Sequence, residues 1–325
     1  TVALRSICAS ARRGKRQFRQ YGLLSMNSTE SCGNKVGSSC AAPPPLIAIA
    51  DIQDRFRREA VRGVHDTGRY RCPYYVWGNG PPLVFIHGLA DSSQSFWPVI
   101  VHLAGNFRCI GYELPKGRGD RARLWHYRHA DLVDDFFSLL NRLSLPQAYV
   151  YGSSFGSTIA LAAAHAETKR LPRVIVQGGF ARRPLSRGEL LAARLARYIP
   201  GLMSHLPYRE RIIRRGHFGP FAYNPAEMWI FCLDATGTCP VAAAGYHALI
   251  LNRVDLRPLL PKIPQPVLMI CGDKDPLIGR EHEKVLLQGL PNAGQITLEN
   301  CGHTPTFTHP GLVAAFVKDF LTPPA

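Results

Sequence analysis

From residue 83 onward the chain keeps one rhythm, and that rhythm leaves few folds open. A short, continuous apolar run at 83–86 and strand-like runs at 107–112, 148–151 and 174–176 follow one another. Helix-like stretches at 95–103, 130–143 and 156–166 separate them. The stretch 130–143 shows the period best. Leu132, Val133, Phe136, Phe137, Leu140 and Leu143 recur at three- and four-residue steps. Asp131, Asp134 and Asp135 sit near its start, where the helix dipole favours acids. The rhythm lapses after Phe180 for about 80 residues. It resumes with strands expected at 266–271 and 295–298 and helices at 280–290 and 312–321. Strands alternating with helices mean a sheet covered on both faces, so the expected fold is α/β, a doubly wound and mostly parallel sheet. The interruption, 181–262, reads as a helical cap inserted on that scaffold.

Ahead of the alternation, 51–63 reads as a charged amphipathic helix and 70–77 as a strand leading into a Gly-Pro turn. Residues 1–50 are basic and then Pro-rich. The expected organisation is a disordered segment over 1–50 and a single domain over 51–325.

The sharpest chemical signal is Gly152-Ser153-Ser154-Phe155-Gly156, at a strand-to-helix junction. A nucleophile presented there needs neighbours two residues away with almost no side chain, so that strand and helix can close up. A serine hydroxyl also needs a base, and the base an orienting acid. Downstream, Gly272-Asp273-Lys274-Asp275-Pro276 follows one apolar run and Cys301-Gly302-His303 follows another. Both lie just past strand ends, where sites in open α/β sheets collect.

In these segments the sequence resembles the α/β-hydrolase superfamily, in its cap-bearing serine hydrolase branch, over roughly 70–321. Phe85-Ile86-His87-Gly88-Leu89 is similar to the family's His-Gly turn. The stretches 256–275 and 302–310 are similar to its approach to the acid and its histidine loop. The resemblance implies Ser154 as nucleophile, Asp275 as acid and His303 as base. It implies the backbone N–H groups of Leu89 and Phe155 as oxyanion hole, with Gly88, Gly152 and Gly156 as motif glycines. Two departures stand out. Ser157 occupies a position often held by glycine, which predicts slightly looser helix–strand packing. Lys116-Gly117-Arg118-Gly119 replaces a Gly-His-Gly-like turn. Asp273 is the rival acid, two residues from Asp275 and expected to point the other way. His87 reads as a structural turn residue.

The expected activity is hydrolysis of a hydrophobic carboxylic ester through an acyl-enzyme. No metal or organic cofactor is implied. An aspartate at the elbow would have indicated epoxide or haloalkane chemistry. Acyl transfer to another acceptor, C–C bond hydrolysis and cofactor-free peroxidase activity share the same triad. A hydrolase-fold binding protein without turnover is the alternative outside catalysis. Apolar residues of the insertion, including Leu190, Leu191, Leu195, Ile199, Leu202, Met203, Trp229 and Phe231, are expected to favour a hydrophobic small-molecule substrate.

The net charge of +16 is partly local. Residues 1–25 hold Arg5, Arg12, Arg13, Lys15, Arg16 and Arg19 and no acid, as a tail, a transit peptide or an arm for anionic partners would. No nucleic acid is expected as partner, and the arginines of 181–262 leave weak contact with an anionic lipid surface open. There is no signal-peptide pattern, and no apolar run reaches the ~20 residues a membrane span needs, so a cytoplasmic location is the expectation. Nine cysteines without metal-ligand spacing read as reduced. Cys109 and Cys271 fall in strands, and Cys232 with Cys239 is the one pair considered for a disulfide.

Overall fold

The computed structural model describes residues 46–117, 119–217 and 226–322. Eight strands form one sheet: β1 (Val61–Asp66), β2 (Arg71–Trp77), β3 (Pro82–Ile86), β4 (Arg108–Tyr112), β5 (Tyr149–Ser153), β6 (Val174–Gln177), β7 (Val267–Gly272) and β8 (Ala293–Leu298). Their spatial order is β1-β2-β4-β3-β5-β6-β7-β8. Only the β1–β2 and β2–β4 pairings are antiparallel, and every other pairing is parallel.

The described helices of eleven segments are α1 (Ile49–Glu59), α2 (Trp97–Leu103), α3 (His129–Arg142), α4 (Phe155–Ala166), α5 (Arg187–Ala196), α6 (Arg209–His217), α7 (Ala226–Gly237), α8 (Val241–Leu251), α9 (Arg280–Gly289), α10 (Pro305–Thr308) and α11 (Pro310–Leu321). Alternate strand residues feed two cores. Val84, Ile86, Ile110, Val150, Val174, Val176 and Met269 pack on one face with residues of α3 and α4. Leu83, Phe85, Tyr151, Ile175, Leu268 and Ile270 pack on the other with residues of α1, α2 and α11. The two-residue period of a strand thus serves two apolar layers, which is why the polar residues of β4, β5 and β6 (Arg108, Ser153, Gln177) sit at strand ends.

β1 was not legible as a strand. It begins two residues after α1 ends, where the expected helix still ran, and its exposed edge tolerates polar residues and Gly63. Residues 1–45 of the expected N-terminal segment lie outside the described residues. Ile49, also within that segment, is buried as the first residue of α1. Between β6 and β7 the chain carries α5 to α8.

For function, the decisive feature is the reversal of strand order at β3. Chain neighbours β4 and β5 flank β3 on opposite sides. The turns leaving the C-terminal ends of β3 and β5 therefore face each other across a crevice, the place where open α/β sheets bind ligands.

Candidate active site

Ser154 stands alone between β5 and α4, with φ 51° and ψ −117°. A non-glycine residue at positive φ costs on the order of 1–3 kcal/mol, and such strain persists only where the surroundings over-determine it. Here they do. The Ser154 N–H donates to the Gln177 carbonyl at 2.8 Å. A Cβ at Gly152 would lie 2.4 Å from the Gly156 carbonyl oxygen, and one at Gly156 would lie 2.2 Å from that of Ile86. Strand β3, strand β5 and helix α4 thus meet with no room for a side chain at either glycine.

The β3 turn lies against the serine. A Cβ on Gly88 would sit 3.3 Å from the Ser154 Cβ. The backbone N–H groups of Leu89 and Phe155 have no hydrogen-bond partner among the described residues. His87 holds this turn in place. Its Nδ1 lies 2.9 Å from the Gly88 carbonyl oxygen and its Nε2 accepts the Leu114 N–H at 3.0 Å, so the ring ties β3 to the β4 loop.

The side chains of His303 and Asp275 are buried and paired, Nδ1 to Oδ2 at 2.7 Å. The other carboxylate oxygen of Asp275 accepts the N–H groups of Leu277 and Ile278 at 2.8 and 2.9 Å. Burial pushes the Asp275 carboxyl up. The hydrogen bond and charge of His303 together with those two N–H groups outweigh it and hold the group below the usual carboxylate range. Asp273 is exposed and its Oδ1 accepts the Cys301 N–H at 2.9 Å, so it braces the histidine loop from the far side.

Two residues that no motif singled out meet the histidine loop from the end of β6. Gly178 follows β6 with φ 53°, and a Cβ there would lie 2.7 Å from His303 Cε1 and 2.9 Å from its Nδ1. The imidazole occupies the space that a side chain would take. Gln177 accepts the Tyr151 hydroxyl at 2.6 Å, and its amide donates to Ser153 Oγ at 3.1 Å and to the His303 carbonyl at 3.4 Å. Their signal in the sequence was slight: a polar residue and two glycines closing an apolar strand.

Ser157 corrects an expectation. Its packing is not loosened, because it is fully buried and its hydroxyl donates to the Ser154 carbonyl at 2.5 Å. Of the eight apolar residues of the insertion named above, only Phe231 is buried, between Trp97 and Phe307, whereas Leu191, Leu195 and Ile199 are exposed. In the substrate-side loop, Lys116 Nζ lies 2.8 Å from Glu113 Oε2, and Arg118 falls outside the described residues.

Cys72, Cys109, Cys232, Cys239, Cys271 and Cys301 are buried and unbridged, so Cys232 and Cys239 do not pair. Among the described residues no group of three His, Cys, Asp or Glu side chains gathers as a metal site would require. No helix among them is long and apolar enough to cross a membrane.

A sheet of this order with a serine on a strained strand-to-helix turn is the architecture of the α/β hydrolases. The family profile described as alpha/beta hydrolase fold matches residues 81–310, and the chain belongs to that family. It is 26% identical to the uncharacterized hydrolase YugF of Bacillus subtilis over 257 residues, 74% of this chain and 89% of that protein. It is also 26% identical to the 2-hydroxymuconate semialdehyde hydrolase of Pseudomonas putida over 266 residues, 78% of this chain and 91% of that one. Among solved structures, a thermophilic esterase from Thermogutta terrifontis superposes with a TM-score of 0.70 at 22% identity, covering 80% of this chain and 98% of that chain.

Proposed function

We propose that the chain is a serine hydrolase that cleaves a hydrophobic carboxylic ester through an acyl-enzyme. The observation that carries this reading is the buried His303–Asp275 pair, held by Gly178 and Gln177 at the edge where Ser154 is presented at positive φ. In the reaction, Ser154 Oγ attacks the ester carbonyl carbon. With Nδ1 committed to Asp275, Nε2 of His303 takes the serine proton. The N–H groups of Leu89 and Phe155 receive the negative charge on the carbonyl oxygen. His303 then returns the proton to the departing alcohol, leaving the acyl group on Ser154. Water, activated by the same histidine, attacks the acyl carbon and releases the acid. Asp275 keeps its negative charge throughout and stabilises the imidazolium formed at each step. On this reading the helical insertion over 181–262 is the cap.

The elbow serine sets this chain apart from carboxylate-nucleophile chemistry. The relative named as a 2-hydroxymuconate semialdehyde hydrolase favours one second reading, C–C bond hydrolysis on the same triad. A series of nitrophenyl esters from acetate to laurate separates the two. The ester reading predicts kcat/KM that rises to an optimum chain length, and Ser154→Ala reduces it about 10⁴-fold or more. Ester turnover that survives Ser154→Ala removes the nucleophile assignment. Absence of turnover on every ester moves the reading to C–C hydrolysis.

A further inference from the structure

Helix α5 turns its apolar side outward. Leu191, Leu195 and Tyr198 recur at four- and three-residue steps and are 58%, 57% and 76% exposed, and Ile199 beside them is also exposed. Ala193, on the opposite side of the helix, is buried. Trp125, from the loop before α3, is 64% exposed and shares with Ile199 the wall of a 480 Å³ cavity, so it belongs to the same face. Single exposed apolar residues are ordinary, but a contiguous set rimmed by polar groups marks a contact surface.

The rim is cationic. Arg187 and Arg194 flank the stripe, and neither meets a carboxylate among the described residues. Arg197 lies over the rings of Tyr198 and Tyr246. Across 181–262 there are twelve Lys and Arg against five Asp and Glu. That charge disfavours a second copy of this chain as occupant. It equally disfavours the arginine-rich residues 1–25. An anionic partner is required. Four exposed aliphatic and aromatic side chains projecting between arginines suit a lipid surface better than a nucleic acid, whose backbone would meet only the cations. Trp and Tyr prefer the headgroup level of a bilayer, and arginine stems lie along apolar surface while their heads stay in water.

We infer that the α5 face, with Trp125, seats the protein on an anionic phospholipid bilayer as an interfacial helix. The inference stands apart from the chemistry at Ser154. The test is sedimentation of the full chain with vesicles of phosphatidylcholine alone and of phosphatidylcholine with phosphatidylglycerol. The anionic vesicles should retain it at least about ten-fold better, with retention falling as salt rises. Leu191→Asp with Leu195→Asp should cut that retention about ten-fold or more, and Arg187→Glu with Arg194→Glu should abolish the preference for phosphatidylglycerol. Both pairs should melt as the parent does and hydrolyse a soluble short ester within about two-fold of it, because exposed positions away from the site leave the chemistry alone. Equal retention on both vesicles overturns the inference, as does unchanged retention of the aspartate pair. Retention that disappears with residues 1–45 while the α5 variants still bind overturns it too. So does binding to a DNA duplex in place of vesicles. Failure of the ester reading would show as absent turnover and would leave the vesicle result standing.

Discussion

At the scale of single residues, the two aspartates that sequence spacing left in competition are separated by what they bond. Asp275 meets the His303 ring, and Asp273 meets the Cys301 backbone on the far side of the loop. Asp275→Asn should therefore lower kcat/KM by about 10³–10⁴, since an amide no longer favours the required tautomer or its protonated form. Asp273→Asn should stay within a few-fold and cost about 1 kcal/mol of stability. Parallel kinetics and melting curves on the two variants decide the point, and equal losses would contradict it. Gly178 supplies a second test. Alanine there sets a methyl against the imidazole and holds a non-glycine residue at φ 53°. Turnover should fall about 100-fold through misplacement of His303, with only a modest drop in melting temperature. Unchanged turnover would show that the imidazole works from another position. Ser154, Asp275 and His303 were legible because each falls in a short motif beside a strand end. Gly178 and Gln177 were not, because their role lies in contacts to residue 303, more than 120 positions away in the chain.

At the scale of elements, the first residue of α4 is clamped between two histidines. Phe155 meets His129 of α3 edge-on and stacks on His247 of α8. Burial pushes His129 down to about 4 and His247 down to about 3, so both rings are held neutral. The sign follows from which state binds the extra proton. The unfolded chain takes up protons below the ordinary histidine value near 6.5 while the folded chain does not. Stability is therefore full above that value and is lost as pH falls from about 6.5 toward 4 and below. By pH 5 each histidine withdraws about 2 kcal/mol. His247→Phe keeps a ring against Phe155 without a titrating nitrogen, so its melting temperature should fall less than the parent's between pH 7 and pH 5. Identical pH dependence in the two proteins would show that His247 does not drive the loss. Sequence periodicity found the core helices well, because their apolar residues have only one neighbour to face, the sheet. In α5 the apolar side faces outward. Periodicity alone does not say which side of a helix is covered. The edge strand β1 escaped notice for the converse reason, since an edge exposed to water carries no apolar signature.

At the scale of the whole molecule, α1 is part of the core. Phe56 stacks on Trp97 with ring centroids 3.8 Å apart and lies edge-on to Trp77 and Tyr75. Removal of residues 1–45 should leave ester turnover within a few-fold and thermal stability nearly unchanged, as their composition lacks the periodic apolar residues of a core. Removal of residues 1–60 should cost 3 kcal/mol or more, roughly the price of deleting one buried phenylalanine. Thermal melts of the two truncations check this, and equal stability of both would contradict it. The mostly parallel sheet was legible in the alternation of the sequence, because strands separated by helices are covered on both faces, whereas the strand order and the switch at β3 came from the structure. At that switch we propose a serine made nucleophilic by His303 and Asp275. Reaction of the intact protein with a fluorophosphonate, followed by mapping of the modified peptide, tests it most directly. A single phosphonyl adduct on Ser154 is expected, lost in Ser154→Ala and slowed by orders of magnitude in His303→Ala. An adduct on another serine, or none on the folded protein, would contradict it.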